Sequence, residues 1–93
     1  MIELVLDGRE ITGRADLHRR LQEGLRLPWW YGRNLDALFD CLTDLREETT
    51  VRLLHRPALR ETLGPYADRL DRVLCRAQEE NPCLHWQIVP DED

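Results

Sequence analysis

Three aspartates, Asp36, Asp40 and Asp44, recur at i, i+4 and i+8 in a segment that contains no base. On a helix that spacing lines the carboxylates up in one stripe. Asp36 and Asp40 could begin a divalent-cation site with water as the remaining ligands. The stripe could equally imitate successive phosphates in front of a cationic partner. Like charges at i and i+4 cost a few tenths of a kcal/mol per pair. Asp36 recovers some of this beside the helix N-terminus, where the dipole favours anions, whereas Asp44 stands at the unfavourable end. The penalty points to a partner that supplies positive charge. Spacing alone explains the pattern equally well as a solvated face, or as ion pairs with arginines from elsewhere in the chain.

Directly upstream lies Leu27-Pro28-Trp29-Trp30-Tyr31-Gly32. Pro28 blocks helix continuation, so the aromatics sit in a loop. Adjacent residues rarely all face inward; Trp29 or Tyr31 is expected to plug the edge of the core, and at least one aromatic to be exposed.

Other chemistry is scarce. The chain has neither serine nor lysine, and all 13 basic residues are arginine. That removes serine acyl-enzymes, lysine Schiff bases and the phosphate-loop lysine. Cys41, Cys75 and Cys83 form no CxxC pair and read as small buried hydrophobes. A Cys–His pair would require His18, His55 or His85 to converge on one of them. His18 is expected to pack or cap locally rather than bind metal. A metal site at Asp36 and Asp40 would need further ligands, and no HxxxH or glycine-rich loop supplies them. No cofactor or metal is expected, and the chain does not read as an enzyme.

With 93 residues and 11.0 kDa, the chain is read as one domain spanning 1–93. The net charge of −5 is localised. Residues 34–45 hold the three aspartates, and Asp91-Glu92-Asp93 form an acidic tail expected to fray; the rest nearly balances. A nucleic-acid binder would carry a basic patch instead, so direct nucleic-acid binding is not expected, nor is an anionic membrane surface. No apolar run approaches the ~20 residues of a membrane span, and no signal peptide is visible, so the expected location is cytoplasmic.

The elements that must position these residues follow from periodicity. Ile2–Leu6 reads as a strand closed by an Asp7-Gly8 turn. Thr12 or Gly13 caps a helix running to about Gly24, with Asp16 in its first turn and Leu17 and Leu21 inward. Asn34 caps the acidic helix, whose apolar face is Leu35, Leu38, Phe39, Leu42 and Leu45. Thr49–Leu54 reads as a strand buried on both sides. Pro57 opens a short helix that Gly64 ends, and Pro65 opens another reaching Asn81-Pro82. Leu84–Val89 is the last strand. This order implies an α/β fold: one layer of three parallel strands joined by right-handed crossovers and packed against about four helices.

The stretch from Leu27 to Thr43 (Leu-Pro-Trp-Trp-Tyr-Gly-Arg-Asn-Leu-Asp-Ala-Leu-Phe-Asp-Cys-Leu-Thr) resembles the signature of the barstar family, intracellular inhibitors of secreted ribonucleases of the barnase type. Weaker similarity covers nearly the whole chain, including Asp16-Leu17-His18 and Cys83. The resemblance implies the same three-stranded, four-helix fold and a protein that plugs a ribonuclease active site. It implies that Trp30, Gly32, Asn34, Leu35, Asp36, Phe39, Asp40 and Thr43 face the enzyme. Asp40 would enter the substrate-phosphate pocket and meet catalytic arginine and histidine. The implied partner is a basic extracellular ribonuclease or ribonuclease toxin, bound one-to-one by a chain that is monomeric when free.

Departures from the pattern are specific. Phe39 replaces a tryptophan, Asp44 replaces a glycine and adds charge, and Leu45 replaces an aromatic. Arg76 falls where the family's fourth helix presents a glutamate. These changes keep a second reading open, a barstar-like interaction or immunity module with a different partner.

Overall fold

The computed structural model describes residues 1–90; the acidic tail expected at 91–93 lies outside the described residues. The order is β1 (Ile2–Asp7), α1 (Arg14–Gly24), α2 (Leu35–Thr43), β2 (Thr49–Leu54), α3 (Arg56–Leu63), α4 (Pro65–Glu80) and β3 (Leu84–Ile88). The three strands form one parallel sheet in the order β1-β2-β3. Ile2 pairs with Thr49, and Thr49 with Leu84, so the strands start level.

Strand alternation divides the sheet into two unlike faces. Leu6, Val51, Leu53, Leu84 and Trp86 point into a single core. There they meet Leu17 and Leu21 of α1, Leu38 and Leu42 of α2, Leu59 and Leu63 of α3, and Leu70 and Leu74 of α4. Among the described residues no helix covers the opposite face, which corrects the expectation that β2 is buried on both sides. Thr50 is buried there, but Arg52 and Leu54 are only half-buried, and Val5 on β1 is exposed. Arg52 spans that face: its guanidinium donates to Glu3 of β1 at 2.7 Å and to Gln87 of β3 at 3.2 Å. The apolar run Val51-Arg52-Leu53-Leu54 is thus interrupted by one arginine that makes an otherwise bare sheet face wettable.

Helix boundaries follow local chemistry. Gly13 stands at the cap position before α1 and has no side chain to cap with. Asp16, in the first turn, instead ties the approaching chain to the helix start by accepting from the Thr12 N–H at 3.1 Å. Pro57 sits in the first turn of α3, one residue later than the helix start. Gly64 adopts φ +63° between α3 and α4, a left-handed conformation that favours glycine and lets one helix end as the next begins.

The cysteines depart from expectation. Cys75 is exposed, Cys41 and Cys83 are half-buried, and all three are free thiols. Leucines fill the core positions that the cysteines were expected to share. No described helix is long and apolar enough to cross a membrane.

Candidate protein-binding site

α2 is built as a ridge. Leu38 and Leu42 are fully buried and fix one side of the helix on the core. Asp36, Asp40 and Asp44 therefore fall on the outer side, and all three are exposed. None has an ion-pair partner among the described residues. The alternative of internal neutralisation by arginine is therefore not what the fold adopts. Among the described residues no group of three or more His, Cys, Asp or Glu side chains is disposed to hold a metal ion.

Each end of α2 is held by an asparagine. At the N-terminus the Asn34 side chain accepts from the Ala37 N–H at 2.8 Å and donates to the Gly32 carbonyl at 3.2 Å. A Cβ on Gly32 would come within 3.1 Å of that same Asn34 amide, so the small residue keeps room for the cap. At the C-terminus the last turn contains no basic residue. Buried Asn81, arriving at the end of α4, donates to the carbonyls of Leu42 and Leu45, each at 2.9 Å. It thereby gives the Leu45 carbonyl a donor and adds to the long 3.4 Å bond that the Leu42 carbonyl receives from the Leu45 N–H. Its own oxygen accepts from the Cys83 N–H at 3.0 Å. Sequence reasoning treated Asn81 only as a helix end; its partners lie 36 and 39 residues away.

The aromatic loop is tied down from α1. Tyr31 is the aromatic that enters the core edge, at 5% exposure, while Trp29 is 89% exposed and Trp30 65%. The expectation for Tyr31 holds, and for Trp29 the choice falls the other way. The cause is a polar partner: the Tyr31 hydroxyl lies 2.5 Å from His18 Nδ1, and an indole at that position has no hydroxyl to offer. His18 Nε2 lies 2.7 Å from the Tyr66 hydroxyl of α4. This buried histidine thus links α1, the loop and α4, in the packing role expected of it. Burial, with a smaller contribution from nearby Arg33, lowers its pKa and so favours the neutral ring. Burial likewise raises the pKa of Tyr31 and of Tyr66.

A second clamp sits beside the first. Gln22 of α1 donates to the Pro28 carbonyl at 3.0 Å and accepts from the Arg33 guanidinium at 3.2 Å. Arg33 itself is left-handed at φ 53°, a conformation that costs a non-glycine residue energy. The loop is thus fixed at both ends, and its two tryptophans are held outward by a rigid frame.

Two grooves flank the ridge. One, of about 470 Å³, lies towards the loop and is lined by Arg26, Trp30, Asp40, Thr43 and Asp44. The other, of about 370 Å³, lies towards α4 and is lined by Leu35, Asp36, Phe39, Asp40, Arg72 and Arg76. Asp40 borders both. Thr43 uses its hydroxyl hydrogen on the carbonyls of Phe39 and Asp40, at 3.0 and 3.1 Å, which leaves the oxygen free only to accept. Phe39 is half-buried, with the Arg76 guanidinium carbon 5.6 Å from its ring centre. Trp30, Gly32, Asn34, Leu35, Asp36, Phe39, Asp40, Thr43 and Asp44 all belong to α2, its caps or the loop leading into it, so the fold gathers them in one region.

Comparison with known proteins agrees with this architecture. Residues 1–87 match the family described as Barstar (barnase inhibitor). The chain is 41% identical over 81 residues, 86% of its length, to a Bacillus subtilis (strain 168) protein named "Putative ribonuclease inhibitor YrdF", of which the match covers 89%. With three parallel strands, four helices and a match along almost its entire length, the chain belongs to the barstar family.

Proposed function

We propose that this protein inhibits a ribonuclease of the barnase type by docking α2 and the aromatic loop into the enzyme's active site. Family membership supports a barnase-inhibitor-like role. One observation carries the mechanism: Asp36, Asp40 and Asp44 stand exposed and unpaired on a helix capped at both ends. A site that holds a phosphodiester is cationic, and a rigid row of carboxylates presents to it charges where phosphates would bind. Burying a carboxylate without a partner is costly; a preformed arginine-rich pocket removes that cost. Asp40, at the centre of the ridge and on both grooves, meets the catalytic cations. Trp30 covers the loop side, and Leu35 and Phe39 supply apolar contact between the charges. Asn34, Gly32 and Thr43 hold the backbone in shape and offer their remaining polar groups at the rim. The complex is one-to-one, forms inside the producing cell and leaves no role for a cofactor. Blocking, not chemistry, is the activity.

The test is calorimetric titration against barnase at low and high salt, with Asp40→Ala and Glu61→Ala as variants. Glu61 is exposed on α3, away from the ridge. Tight one-to-one binding that weakens as salt rises, and that collapses in Asp40→Ala alone, is the expected result. Equal behaviour of the two variants would sink the assignment. A second reading, a different partner for the same ridge, is favoured by Arg76, which places a positive charge on the α4 side of the groove.

A further inference from the structure

The surface beside the ridge has an unexplained order of its own. Arg69, Arg72 and Arg76 follow at i, i+3 and i+7 on α4, one stripe on one face, and all are exposed. None has a carboxylate within ion-pair distance among the described residues. Of the acids on the same helix, Asp68 is committed to Arg56 at 2.8 Å and Arg60 at 3.2 Å and Asp71 to Arg56, while Glu79 and Glu80, one turn beyond Arg76, form no ion pair with it. Asp36 and Asp40 share a groove with Arg72 and Arg76, yet they form no ion pair with them. At the N-terminal end of α2 a wider cleft of about 680 Å³ continues the pattern, with Arg14, Arg33 and Arg69 around Tyr66 and with Asp36 at its edge. Arg14 is held over the Tyr66 ring at 4.2 Å, so this positive wall is positioned rather than loose.

A helix selected for stability alone would not align three like charges, since each such pair costs a few tenths of a kcal/mol. The molecule therefore presents two parallel stripes of opposite sign, an acidic ridge and a basic bank, separated by a groove. A uniformly basic partner is attracted by the first and repelled by the second. A partner with a cationic cleft and an acidic rim satisfies both.

We infer that Arg69, Arg72 and Arg76 determine partner specificity, and that the ribonuclease matched to this chain carries carboxylates on the rim of its active-site cleft opposite α4. This rests on the inhibitor reading above, and the experiment separates the two. The probes are barnase and a panel of barnase variants in which each basic residue bordering the cleft is changed singly to glutamate. Against them are titrated the native chain, the triple variant Arg69→Gln/Arg72→Gln/Arg76→Gln and Asp40→Ala. All four altered side chains are exposed, and circular dichroism verifies that each variant is folded. At least one glutamate in the panel is expected to tighten binding to the native chain tenfold or more. That gain disappears in the triple variant, which in turn binds unaltered barnase more tightly than the native chain does. If the triple variant matches the native chain across the whole panel while Asp40→Ala loses binding, the basic bank has no part in recognition and the inference is overturned. If Asp40→Ala binds as the native chain does, or the native chain binds no member, the inhibitor reading itself fails and takes the inference with it.

Discussion

Asp16 on α1 and Asp40 on α2 are the same residue type, and the fold treats them in opposite ways. Asp16 is fully engaged: it accepts from the Thr12 N–H and pairs with Arg19 at 2.5 Å and Arg20 at 3.0 Å. Those bonds, the Thr12 one foremost, lower its pKa to about 2. Asp40 has arginines across its groove and bonds to none of them. One carboxylate is used to start a helix, and the other is left available. The difference supports α2 as the proposed working face, because both helices carry carboxylates and only those of α2 are left without a partner among the described residues.

The strongest way to break this contrast is to remove each carboxylate in turn and measure binding. Asp40→Ala is expected to cost roughly 2–5 kcal/mol of affinity for a ribonuclease partner, the range for truncating one member of a buried charge pair, measured in part on the barnase–barstar pair itself. Its folding midpoint in urea stays near the native value. Asp16→Ala should do the reverse, leaving affinity unchanged while lowering stability by about 1 kcal/mol through the lost hydrogen bond to the Thr12 N–H. Matching losses of affinity would erase the distinction between the two carboxylates.

Next in size is the support under the ridge. Asn81→Ala removes the side-chain donor from the Leu45 carbonyl and leaves the Leu42 carbonyl only its long bond from the Leu45 N–H, and unsatisfied buried groups cost about 1–3 kcal/mol. Urea unfolding should show that loss, and slower exchange of the α2 amides in the native chain than in the variant would locate it.

pH separates the two regions by a third route. His18 has a lowered pKa in the folded protein, so the unfolded chain binds its proton first as pH falls. The stability it contributes is complete above the unfolded value of about 6.5 and is lost as pH drops from there through the lower folded value, by up to about 1.4 kcal/mol per pH unit. Asp16 acts in a separate window. Its stabilisation is present above the unfolded carboxyl value and disappears only as pH falls from about 4 towards 2. Urea midpoints between pH 8 and pH 3 should therefore show an upper step that is absent from His18→Gln. An unchanged upper step in that variant would assign it to another group.

The smallest expected effect sharpens the comparison. Asp44→Arg removes a like charge and places a cation at the C-terminus of α2, worth a few tenths of a kcal/mol of stability. A gain in stability accompanied by weaker binding would show that this helix carries its charge for a partner and not for itself.

Much of this was legible in the residues. The α2 face, its Asn34 cap and the carboxylate stripe are local patterns, with every term within a few positions. The strands were readable because alternation and turn residues bracket them. What stayed hidden depends on distant chain. Whether Trp29 or Tyr31 turns inward is decided by His18, which has one hydroxyl from each side to satisfy. Asn81 could not be recognised as a cap for α2 before α4 was known to lie along it. The open face of β2 is hidden in the sequence because Val51, Leu53 and Leu54 look like a buried run, and only pairing with β1 and β3 shows that Arg52 bridges the outside. The arginine stripe of α4 has helical spacing, but its position opposite α2 comes from packing.

The placement of the tryptophans has a spectroscopic consequence. Trp86 lies under the helices at 8% exposure, while Trp29 and Trp30 stand in water. Indole emission moves to shorter wavelength when water leaves the ring and to longer wavelength when water arrives. Docking over the loop should therefore shift the spectrum blue, and loss of the core should shift it red. Replacing Trp29 and Trp30 with phenylalanine would leave Trp86 reporting on folding alone, and replacing Trp86 would leave the loop pair reporting on occupancy alone. The protein thus carries two intrinsic dyes of opposite sign, one for its partner and one for its own integrity, readable in the same cuvette.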